Sequence, residues 1–227
     1  MESYMNRISN TGIVPVVKIL EKEDAYPLAK ALLNGGIDVI EVTYRSEHAT
    51  SAIQTISEQL PDMLVGAGTV LSVEQAKEAV EAGAKFIITP GFNTKVVQWC
   101  LDHDVEVYPG VSTASEVEMA LSMGLTQLKF FPAESSGGAK KLKDLSAPYA
   151  NVHFMPTGGI NTKNMHDYLS LPNVEAIGGS FMLPNDLVVA KDWDGIEALS
   201  KAAIKSLLDF QLIHVGINTN SPEESKQ

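Results

Sequence analysis

LVGAGTVLSVEQAKEAVEAGAKFIITPG, Leu64 to Gly91, decides how the chain is organised. Its two ends, LVGAGTV and KFIITPG, are short apolar runs of strand type. Between them Val73, Ala76, Ala79 and Val80 recur on one helical face, and Gly83 marks the C-terminal stop. A strand, a helix and a second strand in so short a span form the unit from which parallel sheets are built. Working outward, IVPVVKI from Ile13 and DVIEVTY from Asp38 precede this unit. EVYPGVS from Glu106, QLKFFPAE from Gln127, HFMPTGGI from His153 and VEAIGGSF from Val174 follow it, with charged, alanine-bearing helical segments between them. Eight alternations at intervals of roughly 20 to 30 residues predict an α/β chain folded as a (β/α)8 TIM barrel. A doubly wound open sheet competes, because alternation does not reveal strand order, but the count favours the barrel. No linker or shift of composition divides the chain. The expectation is a single domain over 1–212, opening with a short helical segment, and a flexible C-terminal extension over 213–227 that ends in the polar SPEESKQ.

With 44% hydrophobic residues among 227, the chain can bury one sizeable core. The opening MESYMNRISN lacks the apolar run of a signal peptide, and no stretch approaches the roughly 20 apolar residues of a spanning helix. With Cys100 the only cysteine, no internal disulfide can form, and a reducing cytoplasm is the expected location. His48, His103, His153, His166 and His214 share no metal-ligand spacing with each other or with acidic residues, so no metal site is expected. A formal charge of −11 argues against nucleic acid or an anionic membrane as partner. An anionic small molecule would need local donors.

Strand phase separates the polar residues. In the second run Ile40, Val42 and Tyr44 lie on one face, and Glu41, Thr43 and Arg45 lie on the other. In the sixth, Leu128 and Phe130 face the helices, which directs Gln127, Lys129 and Phe131 inward. An interior ammonium is costly unless paired, desolvation favours the neutral amine, and a neutral amine can attack a ketone to form a Schiff base. A structural Lys129–Glu41 ion pair is the other reading of the same phase, and phase alone leaves both open. TGG at Thr157–Gly159 and GGS at Gly178–Ser180 end the last two runs, where barrel loops with accessible backbone N–H groups commonly hold phosphate. Arg45, Thr69 and Thr89-Pro90 fall at the same strand ends. Arginine with a threonine hydroxyl suits the carboxylate of a 2-keto acid, against the alternatives of a solvated salt bridge from Arg45 to Glu47 or a helix residue and a satisfied turn hydroxyl at Thr69. PAESSGG reads as a flexible loop beside the site. Lys18, ending the first run, is either a substrate contact or a solvated strand-end lysine.

EVTYR, GAGTV, ITPGF, YPGVST, LKFFPAE, PTGGI and IGGSF, in this order from about Ile13 to Met182, resemble the 2-keto-3-deoxy-6-phosphogluconate (KDPG) aldolase family. Its members are class I aldolases that also act on 4-hydroxy-2-oxoglutarate (KHG). The resemblance implies reversible cleavage of KDPG to pyruvate and glyceraldehyde 3-phosphate, with Lys129 as Schiff-base lysine and Glu41 as general acid/base. It places Arg45 and Thr69 at the substrate carboxylate, and Pro90, Phe131, Thr157 and Gly158 around the pyruvyl group. Gly159, Gly178, Gly179 and Ser180 would bind phosphate. No metal or other cofactor is implied, and family members are typically homotrimers. The remaining readings are an aldolase for the galactonate epimer or for an unphosphorylated 2-keto acid, a phosphosugar isomerase or epimerase using Glu41 as base, and a catalytically idle barrel that serves in binding.

Overall fold

The computed structural model describes residues 4–208, so the C-terminal extension expected over 213–227 lies outside the described residues. The chain alternates strands and helices. The strands are β1 (Ile13–Val17), β2 (Val39–Thr43), β3 (Leu64–Gly68), β4 (Phe86–Ile88), β5 (Glu106–Tyr108), β6 (Gly110–Val111), β7 (Gln127–Phe130), β8 (His153–Pro156) and β9 (Ile177–Gly179). The helices are α1 (Tyr4–Thr11), α2 (Ala25–Asn34), α3 (Ala49–Gln59), α4 (Val73–Glu81), α5 (Thr94–Asp102), α6 (Ala114–Ser122), α7 (Gly138–Ser146), α8 (Met165–Leu169), α9 (Asn185–Ala190) and α10 (Trp193–Leu207). None is long and apolar enough to cross a membrane.

The strands pair in parallel as a half-barrel sheet of order β5-β4-β3-β2-β1-β9 and a three-stranded sheet of order β6-β7-β8. EVYPGVS, read as one strand, is two: Pro109 has no N–H to donate, and the pairing passes from β4·β5 before it to β6·β7 after it. Between β8 and β9 the ladder is reduced to isolated bridges at Phe154–Val174 and Thr157–Gly178. Eight uniformly laddered strands are therefore not what the hydrogen bonds describe.

The helical turns follow their local signals. Ser72 caps α4 by accepting from Gln75 N, the buried Ala76 and Ala79 face the sheet, and Gly83 carries the left-handed φ of 109° that ends the turn. Thr113 and Glu116 form a reciprocal capping box on α6.

Two apolar layers result from strand alternation. Ile40, Val42, Leu128 and Phe130 join the larger cluster between sheet and helices. Val14, Val39, Leu64, Phe86, Ile88 and Met155 form a second cluster on the inner face, where the two sheets meet. α1 covers one end of that inner cluster with Met5 and Ile8. It is tied down by Arg7 Nε on Asp38 at 2.9 Å and by Ser9 Oγ, which donates to Glu175 Oε2 at 2.9 Å while His153 Nδ1 stands 2.7 Å from Glu175 Oε1.

Ile8 is fully buried, so Ile8→Ala should lower unfolding stability by about 2–5 kcal/mol in a urea titration. Cys100 is buried on α5, and burial pushes its thiol up to about 12. Native protein at pH 8 should therefore leave a disulfide reagent such as DTNB unreacted, and denatured protein should titrate one thiol per chain.

Candidate active site

All strands run parallel, so their C-terminal ends share one edge, and that edge collects the polar residues singled out above. Lys18, Arg45, Thr69, Pro90, Phe131, Thr157 and Ser180 each stand within three residues of a strand end. Glu41 and Lys129 lie deeper, inside β2 and β7, on the inner face.

These two residues meet across the space between the sheets. Lys129 Nζ lies 3.2 Å from Glu41 Oε1 and 3.3 Å from Oε2. Glu41 is 0% exposed and Lys129 only 4%. Register places them: Glu41 lies between Val16 of β1 and Gly66 of β3, and Lys129 between Gly110 of β6 and Met155 of β8. The ring of Phe131, also on the inner face, has its centroid 5.3 Å from Nζ. The ammonium therefore sees a carboxylate, an aromatic face and little water, surroundings that hold a cation while keeping its proton close to an acceptor.

Two further residues that strand phase did not single out as part of the site belong to its surroundings, Gly68 beside the pair and Thr43 beneath Arg45. A Cβ on Gly68 would overlap Glu41 Oε1, so the missing side chain is the space the carboxylate occupies. Thr43, fully buried in phase with Glu41, donates from Oγ1 to Val17 O at 2.7 Å and accepts from Arg45 Nε at 3.2 Å. The spacing Glu41, Thr43, Arg45 carried the signal for Thr43. Nothing in GAGTV singled out Gly68, because the clash is with a residue 27 positions away in another strand.

Arg45 is exposed and makes no ion pair with Glu47 among the described residues. It lines a cavity of about 210 Å³ together with Lys18, Ser180 and Asn185. Thr69 is held in the left-handed region at φ 54°, a strained conformation for a branched residue. Pro90 lines a different cavity, with Thr89 and Phe92. Thr157 is buried, and Gly178 has no Cβ where one would overlap Thr157 Oγ1, so this glycine admits the threonine before it can serve any ligand. Gly158 and Gly159 adopt φ of 105° and 80°, Gly159 is exposed, and Gly179 is buried against Phe181.

The PAESSGG segment is tethered rather than free. Ala133 N donates to Thr157 O at 2.8 Å, Glu134 N to Gly158 O at 3.1 Å, and Tyr168 OH to Glu134 Oε1. Two of these tethers are backbone N–H groups, which polar composition does not reveal. Among the described residues no three His, Cys, Asp or Glu side chains cluster as metal ligands.

Residues 4–199 match the family model for KDPG and KHG aldolase. This chain belongs to that aldolase family. A 2-dehydro-3-deoxy-phosphogluconate aldolase from Treponema pallidum is 44% identical over 205 residues, covering 90% of this chain and 98% of the relative. A KHG/KDPG aldolase from Escherichia coli K12 is 44% identical over 199 residues, covering 87% and 93%. The crystal structure of a Legionella pneumophila KDPG aldolase, with pyruvate captured as a covalent carbinolamine, superposes with a TM-score of 0.86 at 40% identity, covering 89% of this chain and 99% of that one.

The buried pair gives the aldolase-family chain a sharp test of geometry. Gly68→Ala should leave the fold intact at a cost of about 1–3 kcal/mol from overpacking, while displacing the Glu41 carboxylate. Turnover should drop roughly hundredfold, the size of effect that an ångström-scale misplacement produces in an active site. Thermal melting and steady-state kinetics on the same sample check both parts.

Proposed function

We infer that the chain is a class I aldolase that reversibly cleaves KDPG to pyruvate and glyceraldehyde 3-phosphate, and also cleaves KHG to pyruvate and glyoxylate. The observation that carries this reading is the buried contact between Lys129 and Glu41, an amine and a carboxylate brought within 3.2 Å at the positions where the family resemblance expects them. The contact gives the ammonium a route to lose its proton to the carboxylate when substrate enters.

Lys129 Nζ then adds to the C2 ketone. Glu41 returns protons, directly or through a water, as the carbinolamine loses water to become a protonated imine. The same carboxylate accepts the proton of the C4 hydroxyl, the C3–C4 bond breaks, and its electron pair moves into the iminium. Glyceraldehyde 3-phosphate leaves. The enamine takes a proton at C3, and water hydrolyses the resulting imine to release pyruvate and the free amine. The iminium is the electron sink in this sequence.

Around the reacting carbon, Arg45 and Thr69 hold the carboxylate, with Thr43 orienting the guanidinium from below. Phe131, Pro90, Thr157 and Gly158 enclose the pyruvyl group. Gly159, Gly178, Gly179 and Ser180 form the phosphate end, where Gly178 acts chiefly by admitting Thr157. The bridges between β8 and β9 and the meeting of both sheets around Glu41 and Lys129 support a barrel closed as (β/α)8 in one domain. Family resemblance supports a homotrimer, which sedimentation would register at three times the chain mass. One buried cysteine suits a cytoplasmic enzyme.

Incubation with pyruvate and borohydride should leave a reduced pyruvyl adduct that peptide mapping assigns to Lys129. Lys129→Ala should lose both the adduct and turnover. Glu41→Gln should still form some adduct but turn over about 10²- to 10⁴-fold more slowly, the range lost with a general acid/base. A folded protein that forms no adduct would overturn the Schiff-base mechanism and favour the isomerase reading.

A further inference from the structure

Lys18 belongs to none of the groups assigned so far. It is the first residue beyond β1, exposed, and none of the ion pairs among the described residues involves it. Its place is set by neighbouring strands. On one side Pro15 pairs with Gly179 of β9, so the ends of β1 and β9 adjoin, and Lys18 lines a cavity together with Ser180, the first residue beyond β9. On the other side Val17 pairs with Val42 of β2, which brings Lys18 next to Thr43 and Arg45. Lys18, Arg45 and Ser180 accordingly line one cavity of about 210 Å³ at the C-terminal edge.

Resting on the aldolase reading above, a charge argument follows from that placement. The substrate carries a carboxylate at one end and a phosphate at the other. Arg45 answers the carboxylate, while the phosphate end, as assigned, offers only neutral donors: backbone N–H groups and the Ser180 hydroxyl. The chain as a whole carries −11, so its overall field does nothing to draw an anion in. Lys18 and Arg45 are both cations of the cavity that Ser180 lines; with Arg45 assigned to the carboxylate, Lys18 is left to answer the phosphate, and a flexible ammonium is suited to meeting it as a point charge.

We propose that Lys18 is a specificity-determining residue that binds the substrate's terminal phosphate together with Ser180, and so sets the preference for phosphorylated over unphosphorylated 4-hydroxy-2-keto acids. KHG has no phosphate, and its second carboxylate is closer to the reacting carbons, so it cannot use this contact fully.

The test compares kcat/KM for KDPG and KHG in the wild type, Lys18→Met and Lys18→Arg, with borohydride trapping of pyruvate on Lys129 run on all three. The KDPG/KHG ratio should fall roughly tenfold to a hundredfold in Lys18→Met, mainly through KM for KDPG, as expected for loss of a charge-assisted bond. Lys18→Arg should recover most of the ratio. Inorganic phosphate should inhibit the wild type more strongly than Lys18→Met. Equal losses on both substrates, or an unchanged ratio with trapping intact, would overturn the role of Lys18 and leave the aldolase reading standing. Absence of the adduct from all three proteins would overturn that reading and the proposal with it.

Discussion

A lysine and a glutamate buried together between two sheets constrain everything around them. Either charge alone in that space would cost several kcal/mol, and the pair is tolerable only if both groups sit in one well-defined geometry. Lys129 is held in register by Gly110 and Met155, Glu41 by Val16 and Gly66, and the carboxylate occupies the room that Gly68 leaves free. Removing water makes the pair expensive, and it leaves an amine and a carboxylate 3.2 Å apart with little solvent around them. The energetic burden and the roles proposed for the pair have the same origin.

The edge above the pair follows a different logic. There the side chains are partly exposed, and backbone conformation does much of the positioning. Thr69 stays in a left-handed conformation, Gly158 and Gly159 turn the chain after β8, and the following loop is bonded back to both Thr157 and Gly158. A rigid interior thus carries a rim whose donors can meet an anion. Local placement of Arg45 and Lys18 supplies positive charge where the protein as a whole is negative.

Much of this was legible beforehand because it depends on short-range periodicity. Alternation of two assigned Glu41, Thr43 and Arg45 to one face and Ile40 and Val42 to the other, and the two apolar clusters divide in that way. The helix over Val73–Glu81 ends where Gly83 required. Strand phase does not single out Gly68, because the residue it makes room for is distant in sequence. PAESSGG looked flexible because polar composition does not reveal whether Tyr168 and the backbone of β8 and its following turn will bond to it. The split at Pro109 was visible as a residue without an N–H, yet its effect on sheet order depends on which strands compete for the next pairing.

The sequence by itself determined the alternation of strands and helices, the face on which each polar strand residue lies, and through its motifs the family. Those properties rest on interactions within a few residues or on patterns read along the chain. Only the tertiary structure decided that Lys129 and Glu41 touch, that Gly68 is their clearance, and that Lys18 shares a cavity with Arg45 and Ser180. Each of these joins residues on different strands, and such contacts arise only when parallel strands settle into register and bring distant positions to one edge.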